Sequence, residues 1–188
     1  MSAQKINLPM ETKYLKLKNA ETSIEMKVSE EEIDLCYLGS INNIIDISLI
    51  EKIVSEFAKN KRTRIHIIGD GERKDEFLEI LKQNNTEIYL QEKFYCYLKD
   101  MLHLDYKIEG IIKDNAFDAD LAVSIGGDGT FLRATSMIGK KNIPILGINA
   151  GRLGFLADVG EEDLEDTFAD IFSGDYRIEH RSQLHRSE

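Results

Sequence analysis

The residues most able to do chemistry stand together at Gly126-Gly127-Asp128-Gly129-Thr130. Three glycines in four positions let a backbone turn sharply and approach a ligand without interference from Cβ atoms. The run before them, Asp120-Leu121-Ala122-Val123-Ser124-Ile125, reads as a buried parallel strand, and a helical pattern follows. A turn that opens a helix at the carboxyl end of a parallel strand presents N–H groups and a positive dipole end to phosphate. Asp128 is the odd member. Polyphosphate repels a carboxylate unless that carboxylate handles a proton or faces a metal ion, so its placement suggests chemistry rather than docking. The plainer alternative is an Asp-Gly hairpin turn of type I′ or II′.

A second glycine-bearing loop follows. Ile143–Asn149 reads as a strand, with Pro144 tolerated near its start, and it runs into Ala150-Gly151-Arg152-Leu153-Gly154-Phe155-Leu156. Between the loops, Phe131–Gly139 has the look of a two-turn helix closed by Gly139. Arg133 lies about one turn beyond the first loop, in reach of a phosphate or carboxylate, and equally suited to being a solvated helix arginine. In a parallel sheet, loops after neighbouring strands share one edge, where ligands bind.

Upstream the text alternates between strand and helix periods. Asp34–Ser40, Arg64–Gly71 and Glu87–Leu90 read as strands, and Asp46–Asn60, Glu72–Gln83 and Phe94–Leu102 as helices. Lys107–Ala119 reads as a polar connection into the central strand. Glu161–Phe172 is an amphipathic helix with acids in its first turn, where the dipole favours them, and Gly174 is its stop. Lys13–Lys18 alternates like a short strand, Ser29–Glu32 reads as an acidic turn or helix start, and Tyr176–Glu179 alternates before the pattern stops. The expected organisation is a poorly defined segment 1–32, a βαβα unit over 33–83, a further unit over 84–175, and a truncated start of a next domain at 176–188. The fold class is α/β, with a mainly parallel, Rossmann-like sheet and flanking helices.

Composition bounds the function. Of 188 residues, 42% are hydrophobic and 31% charged, ordinary for a soluble globular chain, and the net charge of −10 favours neither nucleic acid nor an anionic membrane. Cys36 and Cys96 stand far apart and read as reduced packing thiols, and no apolar run approaches a membrane span. The setting expected is cytoplasmic. His66, inside an apolar strand, suits a tolerated sheet histidine better than a ligand or base. Gly69-Asp70-Gly71 is a weak echo of the main motif, and His180 and His185 lack a partner pattern, so no protein metal site is expected.

With these residues in view, Asp120–Thr130 and Asn142–Leu156 closely resemble the NAD kinase family. The likeness runs on through Phe172-Ser173-Gly174-Asp175-Tyr176-Arg177-Ile178-Glu179-His180-Arg181-Ser182 and back towards Glu87–Phe94. Gly-Gly-Asp-Gly-Thr is also shared with diacylglycerol kinase, sphingosine kinase and phosphofructokinase relatives, and the Asn-x-Gly-x-Leu-Gly-Phe-Leu text selects among them. The resemblance implies transfer of the γ-phosphoryl group of ATP, accompanied by Mg²⁺, to the 2′-hydroxyl of the adenosine ribose of NAD. It gives Asp128 the proton-acceptor role, Gly126, Gly127 and Gly129 the approach to phosphates, Arg133 a dinucleotide contact and Phe155 a place beside adenine. Thr130, Asn149 and Gly151 complete the nucleotide-binding set it implies. Family members commonly form dimers or tetramers, so a homo-oligomer is the partner implied beside small-molecule nucleotides.

The resemblance also sets limits. The family's β-rich C-terminal domain, with its Asn-Glu pair and Thr-Gly-Ser-Thr-Ala-Tyr-like segment, has no counterpart in the 188 residues, so the resemblance implies that this chain lacks residues needed for turnover. Residues 33–83 resemble instead the nucleotide-sugar-binding half of GT-B glycosyltransferases. The chain is then either a hybrid joined near residues 80–90 or a kinase domain with a divergent first unit. The competing functions are a non-catalytic nucleotide-binding or fusion scaffold, and a glycosyltransferase fragment that binds a nucleotide sugar.

Overall fold

Short strands that are apolar on both faces need cover on both sides, and this chain supplies helices between nearly every pair of them. The structure is a computed structural model describing residues 10–16, 29, 31–41, 47–100, 107–151 and 154–183. In chain order the elements are β1 (Met10–Lys16), β2 (Glu32–Ser40), α1 (Ile47–Asn60), β3 (Arg62–Asp70), α2 (Lys74–Gln83), β4 (Glu87–Gln91), α3 (Glu92–Asp100) and β5 (Gly110–Ile112). They continue with β6 (Leu121–Ile125), α4 (Asp128–Ile138), β7 (Ile145–Ile148), a 3₁₀ turn at Glu161–Asp163, α5 (Leu164–Ser173) and β8 (Arg177–Gln183).

The strands form one sheet in the order β5-β4-β3-β2-β6-β7-β1-β8. All neighbours are parallel except β1 and β8, which pair antiparallel from Met10↔Gln183 to Lys16↔Arg177. Alternation sorts the side chains between two cores. Ile33, Leu35 and Tyr37 of β2 pack on the face that carries buried residues of α1, α2, α3 and α5. Cys36 and Leu38 face the other way, with Phe131, Ala134 and Ile138 of α4. The spacing in α1 buries Leu49, Ile50, Ile53, Val54 and Phe57 together. The Phe57 ring meets Phe168 and Phe172 of the α5 helix edge-on, each at 5.3 Å between centroids.

Several expectations shift. Lys107–Ala119 is more than a connection, because β5 lies within it, three residues held by pairing with β4 rather than by a pattern of their own. Glu32 opens β2 instead of ending an acidic turn, since it lies in register with Arg62 on β3. The tail keeps its extended form to Gln183 because β1 pairs with it. Glu161–Asp163 is a 3₁₀ turn leading into α5, and Gly174 ends that helix in the left-handed region at φ 77°. Leu17, Lys18, Glu30, Asp46, Met101, Leu102, Arg152, Leu153 and His185, all within segments or motifs read from sequence, lie outside the described residues.

At the amino edge of the sheet sits an ionic cluster. Arg64 Nε and Nη2 donate to Asp34 Oδ1 and Oδ2, both at 2.7 Å, and the Asp34 N–H donates to Asp120 Oδ2 at 2.8 Å. His66 Nε2 lies 3.3 Å from Asp34 Oδ1, and its ring stacks on Tyr89 at 4.8 Å, so His66 is packed as a sheet-face histidine.

Candidate functional site

The order β3-β2-β6-β7 contains a reversal: from β2 the chain builds outward through β3, β4 and β5, then returns to place β6 on the other side of β2. The crevice outside the carboxyl ends of the strands at such a switch point is where open α/β sheets bind ligands. Both glycine loops leave the sheet at this edge. All five residues of β6 are buried, and the strand ends where Gly126 takes φ +145°, a conformation that favours glycine. The Gly126 N–H donates to the Ile148 carbonyl at 2.9 Å, tying the first loop to the end of β7.

The glycine motif is itself the first turn of α4. The helix starts at Asp128, three residues before the sequence pattern suggests, because the Gly127 carbonyl accepts the N–H groups of Thr130 and Phe131 at 2.9 and 3.1 Å. Apolar periodicity cannot reveal a helical turn made of Asp, Gly and Thr. The amides of Asp128 and Gly129 thus lie where no upstream carbonyl of the helix can take them. A Cβ built on Gly127 or Gly129 would meet no packed atom of the described residues within 4 Å. Packing among the described residues therefore gives no reason for glycine at either position, whereas a ligand approaching the bare backbone does. Arg133, exposed one turn on, donates to Thr130 Oγ1 at 3.4 Å. On the other flank, Thr130 Cγ2 would lie 3.6 Å from a Cβ on Gly39, so the end of β2 borders the same site.

Asp128 does not stand free above this cradle. Its Oδ2 accepts the Phe155 N–H at 3.1 Å, and its Oδ1 accepts those of Leu156 and Ala157 at 3.0 and 3.3 Å. These amide donors, Phe155 first and Leu156 next, hold its carboxyl below the ordinary carboxylate range against a smaller opposing effect of burial. Its place in the first turn of α4 adds the favourable helix dipole.

Asn149 supports the second loop from within. It is buried, its Oδ1 accepts the Gly151 N–H at 2.8 Å, and its Nδ2 donates to the Ala157 carbonyl at 3.2 Å. Gly151 is exposed beside it, and the Phe155 ring projects 93% exposed from the same loop. The structure therefore brings Asp128, Thr130, Arg133 and Phe155 to one edge, while Asn149 bonds the loop's own backbone. Sequence reasoning did not single out Gly154, which lies against Asp128, or Gly39 at the end of β2. Gly154 was visible only as one glycine of a loop, and Gly39 only as a strand end.

Comparison with known proteins fits this geometry. The family description "ATP-NAD kinase N-terminal domain" matches residues 39–176. An NAD kinase of Bacteroides fragilis is 47% identical over 106 residues, covering 56% of this chain and 37% of that protein. One from Porphyromonas gingivalis is 40% identical over 108 residues, 57% of this chain and 38% of the relative. One from Flavobacterium psychrophilum is 42% identical over 106 residues, 55% and 36% respectively. The chain thus spans little more than a third of the length of these relatives. Because the match takes in both glycine loops and the central strands that carry them, the chain belongs to the family of ATP-NAD kinase N-terminal domains.

Proposed function

We propose that this chain is the phosphate- and adenine-binding part of an NAD kinase, which moves the γ-phosphoryl group of ATP to the 2′-hydroxyl of the adenosine ribose of NAD. The observation that carries this reading is the Asp128 carboxylate, fixed at the mouth of a loop whose Gly127 and Gly129 expose bare backbone. In the transfer, a bond forms between the ribose 2′-oxygen and the γ-phosphorus. The bond from that phosphorus to the β–γ bridging oxygen breaks, and ADP leaves. The hydroxyl proton passes to the Asp128 carboxylate. Amides at the start of α4 and the Arg133 guanidinium face the phosphates, and the exposed Phe155 ring offers a stacking surface for adenine. Mg²⁺ arriving with ATP offsets phosphate charge, and a cytoplasmic setting and a homo-oligomer go with the same reading.

We further infer that residues 33–83 are the first unit of this kinase domain rather than a glycosyltransferase-derived segment. Two observations support this: the family match begins at residue 39, and β2 pairs directly with β6, the strand that leads into the glycine loop.

The test is NADP formation from NAD and Mg-ATP by the chain, beside thermal shifts with NAD, ATP and UDP-sugars. Turnover, or stabilisation by NAD or ATP, is expected. Stabilisation by a UDP-sugar alone would move the assignment to the glycosyltransferase reading.

A further inference from the structure

Gly154 touches the carboxylate more closely than a side chain could allow. A Cβ there would fall 2.2 Å from Asp128 Oδ1 and 2.7 Å from its Cγ. The backbone at Gly154 lies outside the left-handed region, so among the described residues it is this contact, and not backbone strain, that favours glycine. A carboxylate has about four lone-pair sites, two on each oxygen. Among the described residues, Oδ1 takes two amides, Leu156 and Ala157, and is filled, whereas Oδ2 takes the Phe155 amide alone and keeps one site open.

From this geometry we infer that Gly154 is a positioning residue: its missing side chain lets residues 155–157 clamp Asp128, two amides on Oδ1 and one on Oδ2, leaving the remaining site of Oδ2 to receive the ribose proton. The assignment of the proton rests on the kinase reading above, whereas the clamp rests on contacts alone. The clamp has two effects. It fixes which oxygen faces the substrate, and it keeps the carboxylate in its ionised form, at the cost of lower basicity. Because Phe155 supplies both an amide to the clamp and a ring to the solvent, a nucleobase stacked on that ring bears on the same backbone that orients the acceptor.

The test follows the backbone N–H resonances of Phe155, Leu156 and Ala157 in the ¹⁵N-labelled chain as pH falls from neutral through the carboxylate range. All three are expected to move with one shared midpoint, below the value near 4 of an ordinary aspartate. That transition should vanish in Asp128→Asn. In Gly154→Ala the midpoint should rise towards the ordinary value as the methyl group drives the carboxylate off its donors. Separate midpoints, no transition in the unmodified chain, or an unmoved midpoint in Gly154→Ala would overturn the clamp. The unmodified chain alone suffices for the first two outcomes if the variant fails to fold. Titration of the same sample with NAD and with Mg-ATP separates the two readings. A shared midpoint in a chain that binds neither nucleotide keeps the clamp and retires the kinase assignment; NADP formation with unlinked amides does the reverse.

Discussion

Phe155 donates its backbone N–H to Asp128 Oδ2 across 3.1 Å while its own ring stands 93% exposed. One residue thus holds the candidate proton acceptor with its main chain and offers an apolar face to a ligand with its side chain. The two roles are separable by mutation, since the amide survives any substitution but proline.

Phe155→Ala should weaken binding of NAD or ATP by roughly ten- to a hundredfold, the range of about 1–3 kcal/mol for stacking of a base on an aromatic ring. The unfolding midpoint should scarcely move, because the ring buries little surface and the clamp is kept. Calorimetric titration beside thermal unfolding reads both. Unchanged affinity would place adenine elsewhere.

Asp128 links stability to pH in a definite direction. Its amide donors depress the folded-state pKa, so the stability it contributes is complete above the unfolded value near 4 and is lost as pH falls through the folded value. Urea unfolding at a series of pH values should therefore show an acid loss that Asp128→Asn lacks. At neutral pH Asp128→Asn should be the less stable, because an amide offers one oxygen, and an opposing NH₂, to three backbone donors. On the proposed kinase reading, the same substitution should abolish NADP formation while leaving the fold intact.

Gly147→Ala should destabilise by about 1–3 kcal/mol through overpacking. Its methyl group would lie 2.7 Å from two carbons of the buried Phe131 ring and 3.0 Å from Ala157 Cα. Since Ala157 belongs to the clamp, the Asp128 contacts should loosen with it, seen as displaced amide resonances at residues 155–157. Denaturant unfolding measures the first effect, and a stability loss with undisturbed resonances would show that β7 absorbs the methyl group alone.

Asp120 carries the opposite sign. Burial pushes its carboxyl up, against the Asp34 N–H that favours the charged form. The folded state then holds the proton more tightly than the unfolded chain, so ionisation costs stability as pH rises through the unfolded and then the folded value. Asp120→Asn keeps an acceptor for the Asp34 N–H and removes the charge. It should raise the unfolding midpoint at neutral pH, with the difference closing below the carboxylate range. A lower midpoint in thermal unfolding would mean that attraction to Arg64 outweighs burial.

What the sequence determined by itself is what repeats over short distances. The apolar spacing of Leu49, Ile50, Ile53, Val54 and Phe57 dictated a buried helix face, and the mostly apolar run ending at Gly126 dictated a covered strand and a tight turn. The residue types in the two glycine loops likewise singled out a carboxylate between close-turning loops, and the fold brings those loops to one sheet edge. Tertiary structure alone decided the rest, because the deciding partners are remote along the chain. β5 exists through its pairing with β4, and β1 and β8 meet from nearly opposite ends of the chain. The donors that clamp Asp128 stand 27 to 29 residues away from it. They are main-chain N–H groups, which every residue but proline carries, so no side-chain pattern can announce them. Only the fold, by setting the end of β7 beside the start of α4, turns an ordinary loop backbone into the seat of a carboxylate and makes the absence of one methyl group at Gly154 matter.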